Sequence, residues 1–190
     1  MHQTTYELAL ALRHELHQYP ELSCEEQGTK ARLMAFLKAH TKLEIVDRGR
    51  WFYAVHRGKP EGKKLAFRAD MDALPITERA DHDYVSTHPG QMHACGHDGH
   101  TAILLELARR LNEKTSLPHN VLLIFQPGEE TPGGALPLCE TGILEKYGVK
   151  AVFGLHLWPG LEEGVIFTRE NELMSRGSEL TVNIYGKSSH

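Results

Sequence analysis

Four short stretches of the sequence concentrate the residue types that bind metal ions or move protons. Met92-His93-Ala94-Cys95-Gly96-His97-Asp98-Gly99-His100 places a thiol and an imidazole two positions apart. At that spacing both can turn toward one cation from a loop, and Gly96 between them leaves the backbone free to bend. Gln126-Pro127-Gly128-Glu129-Glu130 offers two adjacent carboxylates, Asp70 follows an apolar run that begins at Leu65, and His156 follows another that begins at Ala151. A thiolate, a carboxylate and two imidazoles suit zinc, manganese or a similar transition metal, whereas calcium and magnesium prefer oxygen donors alone. The adjacent glutamates allow one carboxylate to bind metal while its neighbour takes a proton from water, whose pKa a bound cation lowers from about 15.7 to roughly 7. The free glutamate can then pass that proton to a leaving amine. Asp70 either orients a ligating histidine or binds metal itself.

Taken singly, these residues have plainer readings. Cys95 suits a small buried apolar position, His156 a satisfied core histidine, and Glu129-Glu130 a solvated turn. His93 and His100 read as ordinary loop and first-turn residues or as supports of the site, Asp98 as a helix cap or an outer partner of the site, and Trp158-Pro159 as packing. Arg68 is either an ion-pair partner of Asp70 or Asp72 or a surface residue. Cys95 acting as a nucleophile with a histidine is the competing chemistry, but it leaves Glu129, Glu130 and His156 without roles. The constellation carries the inference.

The elements that must position these groups follow from periodicity. Leu8, Leu12 and Leu16 predict a helix from about Tyr6 to His17, ended by Pro20. Ser23-Cys24-Glu25-Glu26 has the form of a capping box that opens a second helix through about Ala39. Leu43 to Asp47 and Trp51 to Val55 flank Arg48-Gly49-Arg50 as a hairpin, and Lys64 to Arg68 is another strand. From Asp70 to Asp98 the chain lacks a sustained period and reads as a long functional loop. Gly99 to Asn112 is helical, with Ile103, Leu104, Leu107 and Leu111 on one face and Asp98 as N-cap. Val121 to Phe125 and Ala151 to Leu155 are apolar enough to be strands buried on both faces, with a helix from about Ala135 to Thr141 between them. Gly164 to Thr168 and Glu179 to Tyr185 alternate as strands. This order predicts an α/β fold with helices packed on a central sheet. Three of its strands then deliver Asp70, Glu129-Glu130 and His156 at their carboxyl ends, where open α/β sheets build sites.

Composition narrows the class. The chain has 190 residues, 41% hydrophobic and 24% charged, the profile of a soluble globular protein. A net charge of -4 does not favour nucleic acid as a partner. The longest apolar runs are too short to span a bilayer, and the polar, acidic N-terminus has no signal-peptide form, so no membrane partner and a cytoplasmic location are expected. Three cysteines, Cys24, Cys95 and Cys139, without a C-x-x-C pair argue against a disulfide framework.

Five motifs occur in order: Arg68-Ala69-Asp70-Met71-Asp72-Ala73-Leu74-Pro75-Ile76, His93 to His100, Phe125 to Glu130, Gly154-Leu155-His156-Leu157-Trp158-Pro159, and Gly186-Lys187-Ser188-Ser189-His190. Together they resemble the aminoacylase/carboxypeptidase family of dinuclear metallohydrolases, in its amidohydrolase branch. The resemblance implies a three-layer catalytic domain with a central mixed sheet over residues 1–172, and the first strand of an incomplete α+β lid domain over 173–190. It implies two divalent ions (zinc, manganese, cobalt or nickel) held by Cys95, His97, Glu130 and His156, with Cys95 bridging. Glu129 becomes the general base and Asp70 the supporting carboxylate. His190 matches the lid-domain histidine that helps hold the substrate carbonyl, often across a homodimer formed through the lid. The implied substrate is an N-acyl amino acid. Glu129 to Ala135 and Ser178-Glu179-Leu180 most resemble the N-acetyldiaminopimelate deacetylases of lysine biosynthesis, with a hippurate-type substrate as the alternative. Gly128 departs from a common alanine and Ser188-Ser189 from a common Gly-Gly. Members of this branch run well beyond the present length and add a final ligating histidine, so the chain by itself is expected to be inactive.

Overall fold

Leu12 and Leu16 stand one helical turn apart on α1 (Thr5–Gln18), and both are buried, as their spacing requires. Leu33 and Leu37 repeat the arrangement on α2 (Gln27–His40) and enter the same core. The chain continues through β1 (Glu44–Asp47), β2 (Phe52–His56) and β3 (Lys64–Asp70), then through a long irregular segment to α3 (His97–Asn112). It ends its regular part with β4 (Asn120–Gln126), α4 (Ala135–Glu140), α5 (Ile143–Tyr147) and β5 (Ala151–Gly154). The computed structural model describes residues 5–114, 116–131, 133–174 and 180–190.

The five strands form one mixed sheet in the order β1-β2-β4-β3-β5. β2 is antiparallel to both β1 and β4, while β3 runs parallel to β4 and to β5. Helix α3 makes the crossover that a parallel β3–β4 pair needs. Side-chain alternation divides β4 between two cores. Val121, Leu123 and Phe125 join Leu12, Leu16, Leu33, Leu37 and Leu105 on the α1–α3 side. Leu122 and Ile124 join Trp51, Tyr53, Val55, Leu138 and Ile143 on the α4–α5 side. The continuous apolar run is therefore buried on both faces, in three layers. Phe52 and Phe125, opposite each other in the register, stack with ring centroids 4.3 Å apart.

Several elements differ from their sequence expectations. α3 begins at His97 with left-handed Gly96 at its N-cap, so Asp98 lies inside the helix and caps nothing. Its buried face carries Leu104, Leu105, Ala108 and Leu111, and Ile103 is exposed, because the helix is turned toward α1 and the sheet together. α2 has no side-chain cap: the Ser23 hydroxyl donates instead to Asp72, 2.6 Å away. α5 was not foreseen; its signal is the pair of left-handed glycines, Gly142 and Gly148, that bracket it. β5 is not buried on both faces. It pairs with β3 alone among the described residues, and Val152 and Phe153 are half exposed.

The chain divides into two compact units, one up to Leu157 and one from Trp158 to His190. In the second, no strand forms over 164–168 or over 180–185, where a lid strand was expected, and Glu179 lies outside the described residues. A strand needs a partner for its backbone hydrogen bonds, and neither stretch is paired among the described residues. Among the described residues no helix is long and apolar enough to cross a membrane.

Leu105 is fully buried between α1 and the sheet. Leu105→Ala is expected to lower the unfolding free energy by about 2–5 kcal/mol, read from the shift in a urea denaturation midpoint.

Candidate metal centre

In the parallel register Asp70 stands opposite Gln126, and Arg68 stands opposite Gly154. The three strands β3, β4 and β5 therefore finish at one edge, and the residues just beyond them (Asp72, Glu129-Glu130 and His156) converge there. The fourth contribution arrives from the start of α3. Gly96 takes φ +87°, and a Cβ there would sit 3.3 Å from the Leu157 side chain. Only glycine meets that turn without strain, and the turn is what sets Cys95 against His97.

The hydrogen bonds of the two histidines fix which ring nitrogen faces inward. His97 is fully buried and donates from Nδ1 to Asp72 Oδ1 at 3.2 Å. Its Nε2 has no hydrogen-bond partner and lies 3.7 Å from Glu130 Oε1, 3.7 Å from Asp70 Oδ2 and 3.9 Å from Glu129 Oε2. Glu130 Oε1 is likewise buried without a partner. His156 donates from Nδ1 to the Leu157 carbonyl at 2.7 Å, turning Nε2 to within 3.4 Å of Cys95 Sγ. The donor atoms of Cys95, His97 and His156 lie within 4.8 Å of one another, and so do those of His97, Glu129 and Glu130. Separations of 3.7–3.9 Å are too long for hydrogen bonds. Ligands placed about 2.0–2.3 Å from a shared cation, however, stand roughly 3–4 Å from each other. Orphaned inward-facing atoms, Nδ1 anchors and a sulfur–nitrogen–oxygen donor set fit a divalent transition metal.

Charge points the same way. Asp70, Asp72, Glu129 and Glu130 approach one another around His97, and Arg68 donates to Asp70 Oδ2 at 2.7 Å. Burial raises the Asp70 carboxyl, but the His100 hydrogen bond and then the Arg68 and His97 charges outweigh it and hold the group at about 2. Burial also raises Asp72, yet hydrogen bonds from His97, Ser23 and the Glu130 backbone hold it far below the usual carboxylate range. Burial lowers His97, and the Asp72 hydrogen bond with the surrounding carboxylates more than reverses this. The Cys95 thiol is pushed up to about 12 by burial, reinforced by its hydrogen bond to Glu130 and the charges of Glu130 and Glu129. Such a thiol is a poor nucleophile, because the thiolate is the attacking form.

Two supporting residues, Asp72 and Glu26, are not singled out by the sequence, and a third, His100, takes the supporting one of its two readings. Asp72 is a hub: it accepts from His97 Nδ1, from the Ser23 hydroxyl and, at 2.9 Å, from the Glu130 backbone. His100 donates from Nδ1 to Asp70 Oδ1 at 2.6 Å and accepts the Leu157 N–H at 2.9 Å, so both ring nitrogens are committed and it supports the site. Its signal was its place three positions after His97, on the same helix face. Glu26, buried, accepts the Gly128 N–H at 2.7 Å and pins the turn that carries Glu129 and Glu130. In that turn Gly128 has φ +58°, with Cys24 Sγ 2.9 Å from where a Cβ would lie, so the departure from alanine has a local cause. Asp98 turns away toward His17 and Arg13. His190 lies in the second unit, exposed.

Residues 66–187 match the sequence model of Peptidase family M20/M25/M40. The chain belongs to this family. It is 43% identical over 181 residues to an uncharacterized hydrolase of Staphylococcus epidermidis, a match covering 94% of this chain and 47% of that protein. An uncharacterized hydrolase of Staphylococcus haemolyticus is 42% identical over 183 residues, with the same coverage. The chain thus spans about half the length of these curated relatives. Among solved structures it resembles the YXEP protein of Bacillus subtilis, described as a dinuclear metal binding peptidase of the M20 family. That match has a TM-score of 0.78 at 38% identity, covering 83% of this chain and 44% of the other. The mixed sheet with flanking helices is accordingly an M20 catalytic-domain architecture.

Two measurements test the electrostatics of this M20 centre. A depressed carboxylate stabilises the fold fully above its unfolded value of 3.8 and not at all once pH has fallen below its folded value of about 2. The stability advantage over Asp70→Asn is therefore expected to shrink by about 2 kcal/mol between pH 5 and pH 2, followed by denaturant unfolding across that window. Because the Cys95 proton must leave when metal enters, zinc uptake at neutral pH is expected to release protons. Calorimetric enthalpies should vary with buffer ionisation heat, and Cys95→Ser should reduce that dependence.

Proposed function

We propose that the full-length protein hydrolyses the amide bond of an N-acyl amino acid, most specifically N-acetyl-L,L-diaminopimelate, releasing acetate and diaminopimelate. The observation that carries this reading is the convergence of Cys95, His97, His156 and Glu130 beside a second glutamate that is left more open. The Glu129 side chain is 40% exposed, against 21% for Glu130, while its Oε2 still reaches within 3.9 Å of His97 Nε2.

Cys95, His97, Glu130 and His156 are the residues that would hold the metal, which supplies Lewis-acid activation of water and of the acyl carbonyl. Asp72 holds His97 in the tautomer that presents Nε2 and, through the Glu130 backbone, keeps the carboxylate turn in register. Glu129 takes the proton from the attacking water as a C–O bond forms. It then delivers that proton to the amine nitrogen as the C–N bond breaks, leaving a carboxylate and a free amino acid. Asp70 acts through His100 and Arg68. His190 would contact the substrate carbonyl, and a homodimer through the lid would bring it to a neighbouring copy. The subgroup assignment is supported by the Glu129 to Ala135 and Ser178 to Leu180 motifs.

Acetate release from N-acetyl-L,L-diaminopimelate by metal-loaded full-length protein tests the substrate. Hydrolysis of hippurate or N-acetylmethionine, with none of the acetylated diamine, would move the assignment to another branch member. Glu129→Gln is expected to lower kcat by roughly 100- to 10,000-fold with metal content unchanged, which separates proton transfer from metal binding.

A further inference from the structure

A second group of side chains of metal-ligating type lies where α1 meets the irregular segment after β3. His17 Nε2 stands 3.0 Å from Glu78 Oε1, and His82 Nε2 stands 3.1 Å from the same oxygen. The donor atoms of all three fall within 4.8 Å of one another. The other ring nitrogen of His17, Nδ1, donates to Asp98 Oδ2 at 2.9 Å, and Arg13 holds that oxygen at 3.2 Å. A histidine tied through Nδ1 to a buried carboxylate, with Nε2 turned toward further donors, is the arrangement that orients ligating histidines. Tyr84 is stacked between His14 and His82, at centroid separations of 3.8 and 3.9 Å, and so fixes the plane of the His82 ring.

An independent observation concerns the donors left over. His93 is 4% exposed, its ring lies 6.3 Å from that of His17, and neither of its nitrogens has a hydrogen bond. Asp98 Oδ1 and His82 Nδ1 are also buried without partners. An imidazolium held between two carboxylates would account for His17 alone. It does not account for His82, whose Nε2 is turned to the same Glu78 oxygen. Two imidazoles that aim Nε2 at one carboxylate oxygen, each braced from behind, form a donor set that a bound cation accepts.

We propose that His17, Glu78 and His82 form a second metal site, selective for a zinc-class divalent transition ion, with Asp98 as the residue that orients His17. Two imidazoles and a carboxylate suit such an ion, and the absence of sulfur sets this site apart from the one containing Cys95. An ion there ties α1 to the segment that leads into Cys95 and His97.

The test uses the intact chain with zinc or cobalt(II) as the only probe. Stoichiometry is read by competition with a chromophoric chelator in a Cys24→Ser, Cys139→Ser background, where the two sites are told apart by the thiolate-to-cobalt absorption that then only Cys95 can give. His82→Ala is expected to lose one equivalent of metal and keep the thiolate band. Cys95→Ser is expected to lose the band and retain the equivalent that depends on His82. His82→Glu puts a carboxylate beside Glu78, which a bare hydrogen-bond network would reject and a cation would accept, so it is expected to keep the equivalent. It also decides the matter if the alanine variant fails to fold by circular dichroism. Equal stoichiometry and affinity in His82→Ala and the parent chain, or loss of the equivalent in a folded His82→Glu, would overturn the site.

Discussion

Like charges brought together at the end of a sheet repel, and one arginine with one buried histidine does not balance four carboxylates. The centre tolerates that crowding because each member is held from behind. His97 is anchored through Nδ1 by Asp72, His156 through Nδ1 by a backbone carbonyl, and Asp70 by His100 and Arg68. These bonds spend the nitrogens and oxygens that face the protein and leave the opposite atoms facing one another across an inner space. The repulsion is thereby concentrated where a cation relieves it. The remainder of the architecture serves to hold this arrangement against its own charge.

The sheet supplies the necessary rigidity. β4 is packed by apolar side chains on both faces, and β3 lies beside it in a parallel register that fixes where both strands end. A site assembled at such an edge takes its precision from backbone hydrogen bonds and its adaptability from the loops beyond them. The buried polar groups add a further constraint. Asp72, Glu26 and His100 use most of their hydrogen-bonding capacity internally. A buried polar group that lost its partner would be costly, so the network favours one arrangement over near neighbours.

Much of this was legible in the sequence because it depends on local signals. The four-residue spacing of Leu12 and Leu16, the apolar run Val121–Phe125 and the glycine between Cys95 and His97 each dictate a conformation without reference to distant residues. The failures share a cause in long-range partners. Ser23 and Glu26 look like a helix cap, but Asp72 and Gly128, far along the chain, compete for them and win. Asp98 looks like an N-cap until Gly96 takes that place and His17 claims its carboxylate. Ala151 to Leu155 reads as interior from its composition, yet its burial is decided by what lies beside it rather than by its own residues. Asp72 does not stand out in the sequence, and His100 stays between two readings, because their importance lies in whom they touch.

One chain of contacts bears on how variants of this protein should be interpreted. Asp70 grips His100, and His100 accepts the N–H of Leu157, whose carbonyl in turn fixes the ring of His156. A side chain at the tip of β3 thus governs the pose of an imidazole beyond the tip of β5 without touching it. Replacing Asp70 would therefore not be a clean subtraction of one carboxylate. Its effect would be non-additive with changes at His100 or His156, and only a double-mutant cycle across the three could separate chemistry from geometry.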